Sequence, residues 1–381
     1  MRILIDIGHP AHVHLLKNLY SILKANGHQI FLTVKSNLDS AKSLLAEYKI
    51  PFIPLGNKSD GLISKAFKQI IYDLKIRSLV KEHKIEIGIG TSINLAHASK
   101  ISKMKSIVLD DDDDEVQPLF VKFAHPFCNA LLSPESLKGK RKKKDTIYYA
   151  GFHELAYLHP NRFTPDPSVL NEAGLSPDEK YFVLRFNSFK AHHDVGVQGI
   201  LIENKRRLIE TLLKHGKVFI TTEREIDPEF EQYKIKIPPH KIHSFIYYAT
   251  MLIGDSQTMT SEAAVLGTPS IRSNSLVGKI AYLEEEEHKY GLTFGFKPNE
   301  AEKMFDKIDE LLKTQNLKEK WQRRRQKLLT DKIDVTDFLV WFVENYPDSY
   351  SLTNNETNYQ NIFKEKSWTL HSTAIKHSYN R

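Results

Sequence analysis

Three histidines, His9, His12 and His14, crowd residues 6–14 (DIGHPAHVH), directly after the first apolar run of the chain. Imidazole has the unperturbed pKa nearest physiological pH, so His12 or His9 can supply a general base there; each can equally be a polar helix cap. Far along the chain, residues 254–269 (GDSQTMTSEAAVLGTP) place small and polar residues in a turn, then about ten helix formers that stop at Gly267. Free amides at a helix start favour a phosphate by about 0.3–1 kcal/mol at exposed sites, which makes Ser256, Gln257 and Thr258 candidates to cradle a diphosphate. Ser256 and Thr258 also suit plain capping. Capping alone leaves Glu262 unexplained: on the first turns of a helix with small neighbours, its carboxylate can accept from both ribose hydroxyls, with Ser261 beside it as a further nucleotide-sugar ligand.

Arg185 follows a strand-like run, where its fork of donors can clamp a diphosphate bidentately. Nearby, His192-His193-Asp194 either orients a phosphate or sugar hydroxyl, with His193 the candidate, or hydrogen-bonds within its own turn. Residues 110–114 are five aspartates followed by Glu115. Adjacent carboxylates repel, so the run reads as solvent-exposed, as a divalent-cation site, or as the source of a catalytic carboxylate, with Asp111 the candidate. Zinc ligation has no support from one cysteine and no HExxH spacing, and no metal is required by the chemistry expected below. The run EEEE at 284–287 reads as a charged helix face.

These residues need positioning, and the pattern around them supplies it. Strand-like runs at 2–7, 29–34, 51–54, 85–89, 106–109 and 129–132 alternate with amphipathic stretches, and the alternation repeats with runs at 181–186, 217–222, 234–237, 251–253 and 270–272. Repeated β-α units predict an α/β fold of two parallel, doubly wound sheets. A length of 381 residues suits two such domains better than one core. The expected division is a first domain over 1–150, a proline-containing linker over 151–180, a second domain over 181–330, a helix over 331–346 returning to the first, and a poorly ordered tail over 347–381. The composition, 41% apolar and 27% charged, is that of a globular protein. A single cysteine and an amino terminus that opens on a strand predict a cytoplasmic protein, with any membrane contact peripheral, at the inner face. The formal charge of +7 favours an anionic partner, but basic runs such as 138–144 (KGKRKKK) lack interleaved aromatics, which argues against nucleic acid.

Glu262-Ala263 followed by Leu266-Gly267-Thr268-Pro269 resembles the nucleotide-binding segment of GT-B proteins, in which a small-residue turn opens a helix carrying a glutamate-alanine pair. The resemblance implies two Rossmann-like domains facing a central cleft, with Glu262 on the ribose and the amides near Ser256 to Thr258 on the distal phosphate. Over about residues 1–340 the chain is also similar to the glycosyltransferase-like family known as domain of unknown function 354. Its phrases are present as GHPAHVH at 8–14, GFHELAYLHP at 151–160, LRFN at 184–187 and AHHD at 191–194. Lipid-linked muramyl-peptide glycosyltransferases end a glycine-rich loop in histidine-valine, which would fall on His12-Val13, although Pro10 and Ala11 stand here for glycines. The non-hydrolysing UDP-N-acetylglucosamine 2-epimerases resemble the chain in fold, and their acidic segment would fall on residues 110–115. Their glycine-aspartate pair falls on Gly90-Thr91 and their threonine-histidine-arginine on Val183-Leu184-Arg185, so only the arginine survives. The resemblances imply an enzyme that transfers a sugar from a nucleotide-diphosphate sugar, in all expectation a UDP-sugar, to a surface-glycan or lipid-linked acceptor, with inversion at the anomeric carbon. The alternatives are a 2-epimerase and a nonenzymatic sugar-nucleotide binder.

Overall fold

The computed structural model describes residues 1–56, 62–186, 198–222, 226–355 and 359–364. It divides into two compact units: Met1–Arg162 together with the chain from Lys332 onward, and Phe163–Asp331. Among the described residues no helix is long and apolar enough to cross a membrane.

Unit 1 is built on β1 (Arg2–Ile7), β2 (Gln29–Lys35), β3 (Ile53–Leu55), β4 (Ile87–Gly90), β5 (Lys105–Leu109), β6 (Ala130–Pro134) and β7 (Ile147–Tyr149). They form one parallel sheet in the order β3-β2-β1-β4-β5-β6-β7. Continuous apolar runs suit strands covered on both faces, and Ile3, Leu4, Ile5 and Ile7 of β1 have no exposed surface. Because β1 lies between β2 and β4, the winding reverses there, and the loops at the carboxyl ends of β1 and β4 part to leave a crevice. Gly90 makes that pairing possible: a Cβ at this position would sit 2.6 Å from the carbonyl oxygen of Asp6.

Unit 2 repeats the plan with β8 (Tyr181–Arg185), β9 (Lys217–Thr221), β10 (Met251–Gly254), β11 (Ser270–Ser273) and β12 (Thr293–Phe296). The order is β12-β11-β10-β8-β9, again parallel, with the reversal between β8 and β10. Gly254 does here what Gly90 does in unit 1, since its Cβ would lie 2.2 Å from the carbonyl oxygen of Arg185. Residues 234–237 (KIKI) alternate like a strand but make only an isolated bridge from Lys234 to Ile220, because Pro238 and Pro239 end the run. The fifth strand is instead β12, at the opposite edge.

Chain return to unit 1 is marked by the Ile333 amide, which donates to the Ala150 carbonyl at 2.9 Å. Asp334 then caps the helix Val335–Glu344, accepting from the amides of Thr336 and Asp337, and this helix packs on Pro10–Ala25 and Leu155–Leu158. Arg162 joins the same point, its Nε 2.8 Å from Asp334 Oδ2. Of the stretch expected to be a poorly ordered tail, 347–381, residues 356–358 and 365–381 lie outside the described residues. Its first part is the helix Asp348–Asn355, and Tyr359–Phe363 forms a turn whose two buried aromatics, four residues apart, share one face. Their rings pack on Phe338 and Trp341 at centroid distances of 5.5–6.2 Å. The Tyr359 hydroxyl and the Gln360 amide donate to the Tyr148 carbonyl at 2.8 and 3.1 Å, which extends the unit-1 core past the last long helix.

Candidate active site

In unit 1 the crevice lies above β1 and β4. Asp6 forms part of its support: buried near the end of β1, it accepts from Thr33 Oγ1 at 2.6 Å, from the Ser92 hydroxyl, and from Asn94 Nδ2 at 3.4 Å. Ser92 in turn caps the helix Ile93–Lys100. These bonds fix both loops around a pocket of about 120 Å³ bounded by Gly8, His12, Lys35, Gln69, Thr91 and Ser92.

The three histidines of the loop separate by role. His9 is the cap of the helix Pro10–Ala25, its Nδ1 accepting from the Ala11 amide at 3.2 Å. His14 is buried, stacked on Tyr157 with ring centroids 5.6 Å apart. His12 lines the pocket. Its Nδ1 accepts from the Gly8 amide at 3.3 Å, and Thr91 Oγ1 lies 2.6 Å from Nδ1 and 2.8 Å from Nε2. A backbone amide can only donate, so the neutral ring carries its proton on Nε2. With Nδ1 turned to the Gly8 amide, His12 presents Nε2–H at the pocket wall beside Thr91 Oγ1.

Burial, then the neighbouring imidazoles of His9 and His153, hold His12 well below its ordinary pKa of 6.5. Folding therefore keeps a neutral ring that the unfolded chain protonates below about pH 6.5, and the associated stability is lost as pH falls. We expect the difference in melting temperature between wild type and His12→Gln to widen as pH rises from about 5 to 7. Comparing the two proteins cancels Asp112, whose raised carboxyl pKa acts with the opposite sign. A difference constant with pH would show that the ring is not held neutral.

The aspartate run is not a solvated strip. Asp110 and Asp114 are buried around Arg141, whose guanidinium lies 3.1 Å from one and 2.7 Å from the other and donates to the Asp110 carbonyl at 2.6 Å. Arg141 comes from the basic run 138–144, so that run is partly structural, for a buried pair of carboxylates needs an internal cation. Asp110 also meets His125 Nε2 at 2.8 Å. Asp111 points elsewhere, 3.0 Å from Nδ1 of His153, and keeps 24% of its side chain exposed. Burial alone would raise its pKa, but the pairing with His153 prevails and lowers it. Asp112 goes the other way, pushed well up by burial and by the charges of Asp111 and Asp110. Neighbouring carboxyls held in opposite states are the arrangement acid-base chemistry uses. One oxygen from each of Asp110, Asp111 and Asp112 lies within 4.8 Å of the others, a spacing a cation could use. Their bonds to His125 and Arg141, to His153 and to Gln117 already spend that charge within the protein.

In unit 2, Arg185 ends β8 and stands in register with Gly254 of β10, with its Nη1 3.4 Å from Thr221 Oγ1. Ser256 caps the helix Gln257–Leu266 by accepting from the Met259 amide at 3.4 Å. Gln257 and Thr258 head the helix half-buried, and their amides belong to the first turn, which lacks intrahelical acceptors. Arg185 and the helix start thus follow adjacent strands at the reversal point. Glu262 lies one turn deeper, 2.9 Å from Nε2 of His243, and both are buried. Sequence reasoning missed His243, which sits without any motif on the seven-residue helix Ile242–Tyr248. Ser261, expected among the ligands, is fully buried, and its hydroxyl donates to Glu286 Oε1 at 2.6 Å. The run 284–287 is likewise more than a charged face, since Glu284 meets the buried Arg272 at 2.7 Å and Glu286 has no exposed surface. His193 lies outside the described residues.

The family model for Protein of unknown function (DUF354) matches residues 1–346. Uncharacterized protein MJ0665 of Methanocaldococcus jannaschii is 21% identical over 308 residues, 74% of this chain and 85% of that protein. UDP-GlcNAc 2-epimerase from Neisseria meningitidis, solved with UDP-GlcNAc, is similar with a TM-score of 0.59 at 12% identity, over 86% of this chain and 100% of that one. Glycosyltransferase SsfS6 of Streptomyces sp. SF2575, complexed with thymidine diphosphate, gives 0.56 at 14% identity, over 90% and 99%. At such identities the likeness is one of fold, the GT-B type with two Rossmann-like domains.

Proposed function

The chain belongs to the DUF354 family of proteins of unknown function, and from that premise we propose that it is a GT-B glycosyltransferase that uses a nucleotide-diphosphate sugar. The observation that carries the reading is the reversal point of unit 2, where Arg185 and a capped helix start stand beside the buried Glu262–His243 pair. Arg185 and the amides of Gln257 and Thr258 take the diphosphate, and Glu262, oriented by His243, takes the ribose. In the reaction the acceptor oxygen bonds to the anomeric carbon, the bond from that carbon to the diphosphate oxygen breaks, and the electron pair leaves on the diphosphate. The positive groups of unit 2 stabilise that departing charge. Asp111 of unit 1 takes the acceptor proton, and His12 holds the acceptor through Nε2–H. The donor is a UDP-sugar and the acceptor a glycan or lipid-linked hydroxyl. No step calls on a divalent cation.

The test is calorimetry with a panel of nucleoside diphosphates and their sugars. One of them binds, and Glu262→Gln weakens that binding by about 1–3 kcal/mol, because a charged acceptor is lost while shape is kept. Equal affinity in the variant removes Glu262 from the site, and no binding by any nucleotide removes the reading itself. The partly exposed carboxylate of Asp111 also suits a second reaction, 2-epimerisation, in which a base works without an acceptor. Proton NMR of UDP-N-acetylglucosamine incubated with the protein alone separates the two. The transferase leaves the sugar unchanged, whereas the 2-epimer appearing establishes the other reading.

A further inference from the structure

The phrase 151–160 (GFHELAYLHP) has no part in the chemistry so far, yet the structure brings one of its residues onto the carboxylate proposed as the base. His153 follows β7 and is 92% buried, with Nδ1 3.0 Å from Asp111 Oδ2. Its other nitrogen, Nε2, is sealed from solvent with no hydrogen-bond partner, and so is the hydroxyl of Tyr149, whose ring stacks on the imidazole at 6.4 Å and 11°. A ring proton on Nε2 would be a buried donor without an acceptor, whereas a proton on Nδ1 meets a carboxylate. We infer that His153 is the positioning residue of Asp111, a neutral imidazole fixed in the Nδ1–H tautomer whose single donor orients the carboxylate and keeps it ionised.

His12 and His153 then occupy opposite tautomers. His12 accepts at Nδ1 and donates from Nε2, while His153 donates from Nδ1 and leaves a lone pair on Nε2. The groups that act on Asp111 are its own backbone amide, Asp110 and Asp112 beside it, Arg141 from the basic run, His12 from the loop after β1, and Tyr149 and His153 from β7 and the turn after it. Among the side chains in this set, His153 places a polar atom within hydrogen-bond distance of the Asp111 carboxylate. Without that donor, burial and the neighbouring carboxylates would push Asp111 toward its protonated, inactive form.

The experiment needs no substrate for its first arm. Long-range proton–nitrogen NMR of the full-length protein at neutral pH reads ring tautomers directly, and we expect Nδ1–H for His153 and Nε2–H for His12. Carbon-13 NMR of the Asp111 carboxyl then shows its titration moving to higher pH in His153→Ala and staying near wild type in His153→Asn, whose amide nitrogen replaces Nδ1. A His153 ring in the Nε2–H or doubly protonated form overturns the inference, as does an Asp111 titration indifferent to His153→Ala. The second arm rests on the transferase reading: release of nucleoside diphosphate falls about tenfold in His153→Ala at pH 7, its acid limb moves to higher pH, and the donor KM holds. Should no nucleotide bind, that reading fails while the NMR result still decides the role of His153; an unmoved acid limb in an active enzyme reduces His153 to packing.

Discussion

A chain cut after Tyr346 melts well below the full-length protein, whereas one cut after Lys364 retains every contact described for the carboxy-terminal turn. The reason lies in the docking of Tyr359 and Phe363 on Phe338 and Trp341. Burying two such rings is worth about 3–6 kcal/mol before the entropy of ordering the segment is set against it. The cut also leaves the Tyr148 carbonyl without the donors from Tyr359 and Gln360, and frees the Ala150 amide from the Gln360 side chain. For a unit of this size the net loss corresponds to a fall of roughly 10 °C in melting temperature. Phe363→Ala in the whole chain gives a large part of the same effect, since truncating a buried phenylalanine costs about 3–5 kcal/mol. Scanning calorimetry of the four proteins decides it, and coincident melts for the Tyr346 cut and the full chain would mean the turn contributes nothing.

His12→Ala produces the largest functional effect. It lowers turnover of the sugar nucleotide by about 10²–10³, the usual cost of one positioned donor acting on the reacting groups, while the affinity for nucleoside diphosphate stays within about 1 kcal/mol. The separation follows from the architecture. His12 hangs on the helix start after β1 in unit 1, and the proposed nucleotide ligands all belong to unit 2. Calorimetry for binding and phosphorus NMR for diphosphate release measure the two quantities independently. Collapse of binding in the variant would make His12 a nucleotide ligand, and full turnover would remove it from the chemistry. His12→Gln is a useful companion, since its amide retains a donor and recovers part of the rate.

The sheets were legible in the sequence because buried parallel strands write themselves as short apolar runs. Two strands were not: β7 is three residues long, and β12 (TFGF) is bounded by Leu292 and Lys297 without an alternating pattern. The opposite error at 234–237 came from an alternation with no open sheet edge to receive it. Residues whose role rests on neighbouring sequence were readable, as with Ser256 at the cap and Gly267 at the stop. Residues whose role rests on a distant partner were not. Nothing near His243 announces Glu262, nothing in 138–144 announces that Arg141 leaves the basic run for Asp110 and Asp114, and nothing in EEEE separates Glu286, bonded to Ser261, from the more exposed Glu285. His153 was visible as part of a phrase but not as the partner of Asp111, because β5 and the turn after β7 meet only in the folded unit. For His12 the sequence supplied the place and withheld the tautomer, which depends on a single backbone amide.

Unit 1 is discontinuous in the chain, opened by its first 162 residues and closed only from Lys332 on. During synthesis from the amino terminus, all of Phe163–Asp331 must therefore leave the ribosome before Asp334 can meet Arg162 or Phe338 can reach its neighbours. At ordinary elongation rates this is a wait of roughly ten to thirty seconds. Throughout it, the nascent helix Pro10–Ala25 exposes the apolar flank that Val335–Glu344 will later cover, so the half-built unit is the species a ribosome-associated chaperone would have to shield.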